Sequence, residues 1–446
     1  MNYKFSDYFK ISKNVMDEND IYDISIVSDT PVFIDPFLLY ISNKFEYQNA
    51  HEQIMKYLLF LCKKVKTNED EKSLKKKYFY FKEPKQNWFG FSEYGNSGRG
   101  LNKDFADKFY INLKKHLSYI EDENFSHFEE LIIFEEGFGK DSVSDFTTKL
   151  ILPFFLDLTE KFAKNYIDES LCNSFLIKKA YFDFEKEEWC DKEYYLPSYN
   201  NDFIILTPTD IIVENDDFLS RNDLLRFITY SSVRIPDSRL RDHVNEYLSK
   251  MLDDRLSKEE KKNLTDELLD EHPEIISFYT LEREKESDEA IQENKEFISK
   301  LELILDDNVQ SVISFLENET EFYNMDNTTK ESVFARLEIL DSCLQRFGNQ
   351  LFYVKGKFVG KKFASVLVNR LWKGSSSAKS NVDFRFTFNS PVEKTLTNFD
   401  YSNETLCYIS LSQSDIERFD KAYNKLNLSN KPLKHISLIK EEISEK

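Results

Sequence analysis

A mixed α and β fold in three parts is what this sequence predicts, and three observations predict it. Short alternating apolar stretches bounded by turn residues fill residues 1–215 and return after 346, whereas 216–345 carries helical periodicity and no glycine. The chain of 446 residues is too long for one ordinary core. Its charge is unevenly placed: the net value is -20, but residues 346–446 hold 17 Lys and Arg against 10 Asp and Glu. The expected organisation is an N-terminal α/β domain (1–215), an acidic helical segment (216–345) and a C-terminal α/β domain (346–446).

In the first domain, Asp23 to Asp29 alternates and breaks at Thr30-Pro31, and Val32-Phe33-Ile34 follows, so two short strands are expected. Asp35 should cap a helix beginning at Pro36. Ala50 to Lys66 reads as an amphipathic helix. Four of the ten glycines lie between Gly90 and Gly100, so the backbone there needs unusual dihedrals or close approach. Gly98-Arg99-Gly100 could offer bare amides to an anion, but the Lys-Ser/Thr ending of a P-loop is missing.

Leu131 to Thr148 reads as strand, glycine turn and helix start. Glu135 and Glu136 fall at the strand end, and Asp141 and Asp145 share a helical face. These four acids are a second candidate site that could hold Mg²⁺ through oxygen ligands; the plainer reading is that Asp141 caps the helix. The stretch also resembles the start of a Toprim domain, for which Tyr181 to Glu185 would be the later acidic strand. Pro153 should restart or kink the helix that follows.

The cysteines at 62, 172, 190, 343 and 407 show no CxxC spacing and read as reduced thiols of a cytoplasmic protein. The first residues contain no apolar signal-peptide core, and no run is long enough to span a membrane. No zinc spacing and no nucleophile elbow occurs. A net charge of -20 disfavours nucleic-acid binding over the whole surface. The C-terminal part instead interleaves Lys361, Lys362, Arg370, Lys373, Lys379 and Arg385 with aromatic residues, as expected of a surface that meets phosphate.

Within that part, Val382-Asp383-Phe384 opens a strand, a turn follows at Asn389-Ser390-Pro391, and Lys394 to Asp400 reads as a second strand, with a helix from Ser414 to Leu426. This order resembles the PD-(D/E)xK restriction-endonuclease-like fold, and more closely a little-characterised group of bacterial proteins that join an N-terminal α/β region to such a domain. Phe33-Ile34-Asp35-Pro36 and Asp141 to Asp145 also look like that group's sequences. The resemblance implies a site in which Asp383 is a metal ligand and an acid and a lysine stand two residues apart on the next strand. Here Asn398 and Asp400 occupy those positions. Asp383 with Asp400 could still hold Mg²⁺, but the cation that would activate water is replaced by an acid. The resemblance therefore implies a component of bacterial defence against phage or foreign DNA, with a degenerate, non-catalytic nuclease-like domain that binds nucleic acid, a protein partner or a second copy of the chain. The alternative is an active Mg²⁺-dependent nuclease using a rearranged C-terminal site or Glu136, Asp141 and Asp145.

Overall fold

The computed structural model describes residues 4–26, 29–67, 69–82, 84–90, 101, 103–121, 125–134, 138–213, 219–253, 255–302, 304, 308–325, 329–354, 357–359, 361–373, 383–387, 392–399, 401, 404–410 and 413–438. Helices dominate it, and the strands form small separate sheets. The class is mixed α and β.

β1 (Phe33–Ile34) is followed by α1 (Pro36–Ile41). Asp35 caps α1, its Oδ1 accepting from Phe37 N at 2.9 Å, and Pro36 opens the first turn. Of the strand expected over Asp23–Asp29, the described residues hold an isolated bridge between Lys4 and Ser25. α2 (Phe45–Val65) buries Ile54, Leu58 and Leu61, spaced as one helical stripe.

Leu131-Ile132-Ile133, expected as a strand, lies in helix α3 (Phe128–Ile133). The Glu130 carboxylate reaches back to accept from Ser126 N and His127 N, and this start signal outweighs the β preference of the two isoleucines. α4 (Lys140–Leu150) is capped by Gly139, not by Asp141, which stands in its first turn. At Pro153 the helix restarts, giving α5 (Leu152–Tyr166).

The longest ladder joins β2 (Cys172–Asp183) to β3 (Glu188–Tyr199), antiparallel, with a bulge between Ile177 and Tyr181. Asp183 forms an ion pair with Lys186 in the turn of this hairpin, so it does not serve the later strand of a Toprim site. β4 (Ile212–Val213) pairs with β1. The acidic segment is helical as expected, and includes α6 (Arg221–Ser231), α7 (Glu274–Lys285) and α8 (Lys330–Phe352). α8 runs through the expected boundary at 345/346. α9 (Lys361–Lys373) follows.

The C-terminal part is a β-α-β-α-β unit: β5 (Asp383–Thr387), α10 (Val392–Asn398), β6 (Glu404–Ser410), α11 (Gln413–Leu426) and β7 (Leu433–Ser437). The three strands are parallel with β6 in the centre, which requires crossover helices between them. α10 therefore replaces the expected second strand. Val392 and Leu396, four apart, are both buried, and that spacing suits a helix. Strand β6 is buried on both faces: Leu406 and Tyr408 pack with Val392, Leu396 and Phe419, while Cys407 and Ile409 join the main core. That main core is continuous from Phe5 to Ile436.

Candidate functional site

Thr30 is a junction of three segments. Its N–H donates to Trp88 O at 2.8 Å, its carbonyl accepts from Gly90 N at 2.9 Å, and its Oγ1 accepts from Arg370 Nη2 at 2.9 Å. The backbone at Gly90 has φ +126°, a region closed to residues with a Cβ. A methyl group there would come within 3.5 Å of Asp141 Oδ1 and 3.6 Å of Asp29 Oδ2. Two carboxylates separated by more than a hundred residues thus meet at one glycine. Asp29 is buried and Asp141 is exposed, and a buried guanidinium is bonded to the residue beside Asp29.

The surrounding scaffold is rigid for identifiable reasons. Ile34 N donates to Ser144 Oγ at 3.0 Å, which ties β1 to the second turn of α4. Asp141 lies in the first turn of that helix, where a negative charge is favoured by the peptide dipoles. On another side of the start of α4 lies a cavity of about 260 Å³, bordered by Glu129, Lys140 and Arg221. Arg221 is committed to Phe134 O at 2.8 Å and to Asp266.

A second polar group lies between α1, α2, α3 and α7. His127 Nε2 is 2.8 Å from Glu284 Oε1, and its ring centroid is 4.4 Å from that of Tyr40 and 5.6 Å from that of His51. Burial, then the neighbouring His127, pushes His51 down to about 3. The bond to His127 holds the Glu284 carboxyl below its ordinary value, while burial raises that of Glu130. The sequence gives little sign of this group, because its members are spread over more than two hundred residues and none stands in a motif.

Of the acids expected around the first-domain turn, Asp141 reaches the Gly90 junction, and Asp145 is buried on α4. Glu135 and Glu136 lie outside the described residues. Asp29, which no sequence motif marks as a site residue, is the carboxylate that meets Asp141. The glycines clustered from Gly90 onward are the signal that could have found the junction.

In the C-terminal part, Arg370, expected on a phosphate-binding surface, is 3% exposed and turned inward to Thr30. Lys379 and Asp400 lie outside the described residues. Lys361, Lys362, Lys373, Asp383 and Arg385 are placed on α9 and β5, and their side chains lie outside the described ones. Asn398 is the exposed last residue of α10, not a position on a neighbouring strand. The strand that does pair with β5 is β6, whose register sets Glu404 opposite Asp383 and Leu406 opposite Arg385. Before α11, β6 ends in Tyr408-Ile409-Ser410, with neither an acid nor a lysine. Among the described residues no group of three His, Cys, Asp or Glu is arranged to hold a metal ion. No described helix is long and apolar enough to cross a membrane.

Residues 10–220 match the family model of a domain of unknown function (DUF8370). The match takes in Asp29, Gly90 and Asp141 and stops before Arg370. No curated protein matches the chain, and no solved structure does.

Proposed function

We propose that the protein is a component of bacterial defence against phage or foreign DNA, whose C-terminal unit holds nucleic acid without cutting it. The observation that carries this reading is the register of β6 against β5. A cleavage site of the kind the sequence resembles needs a carboxylate and a lysine on the strand beside Asp383, to hold the metal ion and prepare the attacking water. β6 sets Glu404 opposite Asp383, but two residues on, where the lysine is needed, it carries Leu406. The balance of 17 Lys and Arg against 10 Asp and Glu favours contact with phosphate by this part of an otherwise acidic chain.

The test is duplex and single-strand binding by the full chain across a salt series, with Mg²⁺ and Mn²⁺ present. Binding without cleavage is expected, with affinity falling as salt rises. Neutralising Lys361, Lys362 and Lys373 should flatten the log–log slope by about 0.9 for each phosphate that no longer meets a cation. Absence of binding, or a slope unchanged in that variant, counts against the reading.

The ladder register favours one second reading. Asp383 and Glu404 are register partners on adjacent strands, and aspartate and glutamate are the residue types that supply oxygen donors to a hard divalent cation such as Mg²⁺. Under that reading the chain cleaves nucleic acid with Mg²⁺, and both Asp383→Asn and Glu404→Gln abolish cleavage.

A further inference from the structure

We propose that the groove between α2, the start of α5 and the β2–β3 hairpin binds an adenine base. The groove has a volume of about 690 Å³, within the roughly 300–1,000 Å³ range of small-molecule sites. Its walls are aromatic, with Phe154 from α5 and Tyr181, Phe184 and Trp189 from the hairpin. Trp189 is a prepared stacking platform. Its Nε1 donates to Tyr57 Oη at 3.2 Å, and the Lys149 ammonium lies 4.7 Å from the ring centroid. Base–aromatic stacking is sequence-tolerant, so the rings alone would take any base.

The choice of base comes from the rim. Glu46, Asn49 and Gln53 line the groove from one face of α2, spaced three and four apart. Among the described residues, the side chains of Asn49 and Gln53 make no hydrogen bond and Glu46 makes no ion pair. A carboxamide presents one donor and one acceptor side by side, which matches the N6 and N7 edge of adenine. Glu46 can accept a further hydrogen from an exocyclic amine. The one lysine of the lining, Lys192, is 3.4 Å from Asp157. Among the described residues, the groove therefore has polar groups for the base and no uncommitted cation for phosphate. The adenine could arrive as a free nucleoside or nucleotide, or as a base turned out of a strand.

Isothermal titration of the full chain with adenosine, AMP, uridine and a short oligo-dA strand tests this. Adenosine should bind at least about tenfold more tightly than uridine, and the double substitution Asn49→Ala with Gln53→Ala should weaken it about tenfold or more. Gln53 is exposed and Asn49 half-buried, so an unchanged melting temperature will show that this variant folds. Binding of the oligonucleotide alone, abolished in the double variant, supports the site and identifies a strand as its source. No binding of adenosine, AMP or the oligonucleotide overturns the proposal. So does binding that survives the double variant; such binding, if it disappears when Lys361, Lys362 and Lys373 are neutralised, belongs to the C-terminal unit.

Discussion

Two pairs of acidic residues are placed near one another in this chain by different means. Asp29 and Asp141 both lie beside Gly90, which backbone hydrogen bonds tie to Thr30, where Arg370 also donates. Asp383 and Glu404 are opposed by the register of a parallel ladder. The first pairing is tertiary and depends on one guanidinium, one glycine and a few backbone hydrogen bonds. The second is set by strand pairing, and the apolar residues of β6 that pack on both sheet faces fix it. The first should therefore be easy to break by single substitutions, and the second should resist them. Arg370 makes the contrast sharper, since a residue of the C-terminal part completes the N-terminal junction.

The largest effect is expected from Arg370→Ala. It removes a guanidinium that is 3% exposed and deprives the fully buried Thr30 hydroxyl of its donor. The loss should be on the order of 3 kcal/mol in chemical unfolding. A change below about 0.5 kcal/mol, the range of ordinary surface substitutions, would show that the junction does not depend on this hydrogen bond. Gly90→Ala comes next. Its φ of +126° is strained for any L residue, although a methyl there would find ordinary contacts with Asp141 and Asp29. A loss of roughly 1–3 kcal/mol is expected. If Gly90→Ala is neutral, the backbone at position 90 does not hold the dihedral that favours glycine.

This contrast also explains what was legible in the sequence. Asp35-Pro36 announces a capped helix, because cap and first-turn chemistry is local. The central helices follow from periodicity over long windows. The segments at 131–133 and 394–400 read as strands, yet 131–133 and 394–398 lie in short helices, fixed by the local cap of Glu130 on Ser126 and His127 or by burial at four-residue spacing. With the second of these a helix, the partner of Asp383 is Glu404 rather than Asn398, because register depends on which segment is the neighbouring strand. Glycine clustering points toward the Gly90 region, but Asp29 and Arg370 are joined to it only by the fold. The hairpin of β2 and β3 is hard to see because β2 does not alternate strictly between buried and exposed residues, Leu176 being exposed, and the bulge after Ile177 interrupts its pattern.

The smallest expected effect compares two histidines, one from each half of the molecule. His51 is buried against Tyr40 and His127, and burial pushes it down to about 3 from its ordinary 6.5. His435 is also lowered by burial, but Asp420 and Asp341 act in the opposite direction, and its Nε2 lies 2.8 Å from Ser410 Oγ. Between pH 6.5 and 3 the unfolded chain holds a proton at position 51 that the native protein does not. The stability supplied by neutral His51 is thus complete above about pH 6.5 and is lost as the pH falls toward 3, by about 1.4 kcal/mol per unit. Glu284 titrates in the same direction and Glu130 in the opposite one, so the informative quantity is the difference between the native protein and His51→Phe. The variant should show a shallower decline on the acid side in denaturant unfolding followed from about pH 7 to about pH 4. His435→Phe should change that slope less, because its nearby carboxylates already favour the charged ring. Equal slopes in the native protein and His51→Phe would mean that the acid sensitivity of the N-terminal half does not reside at this histidine.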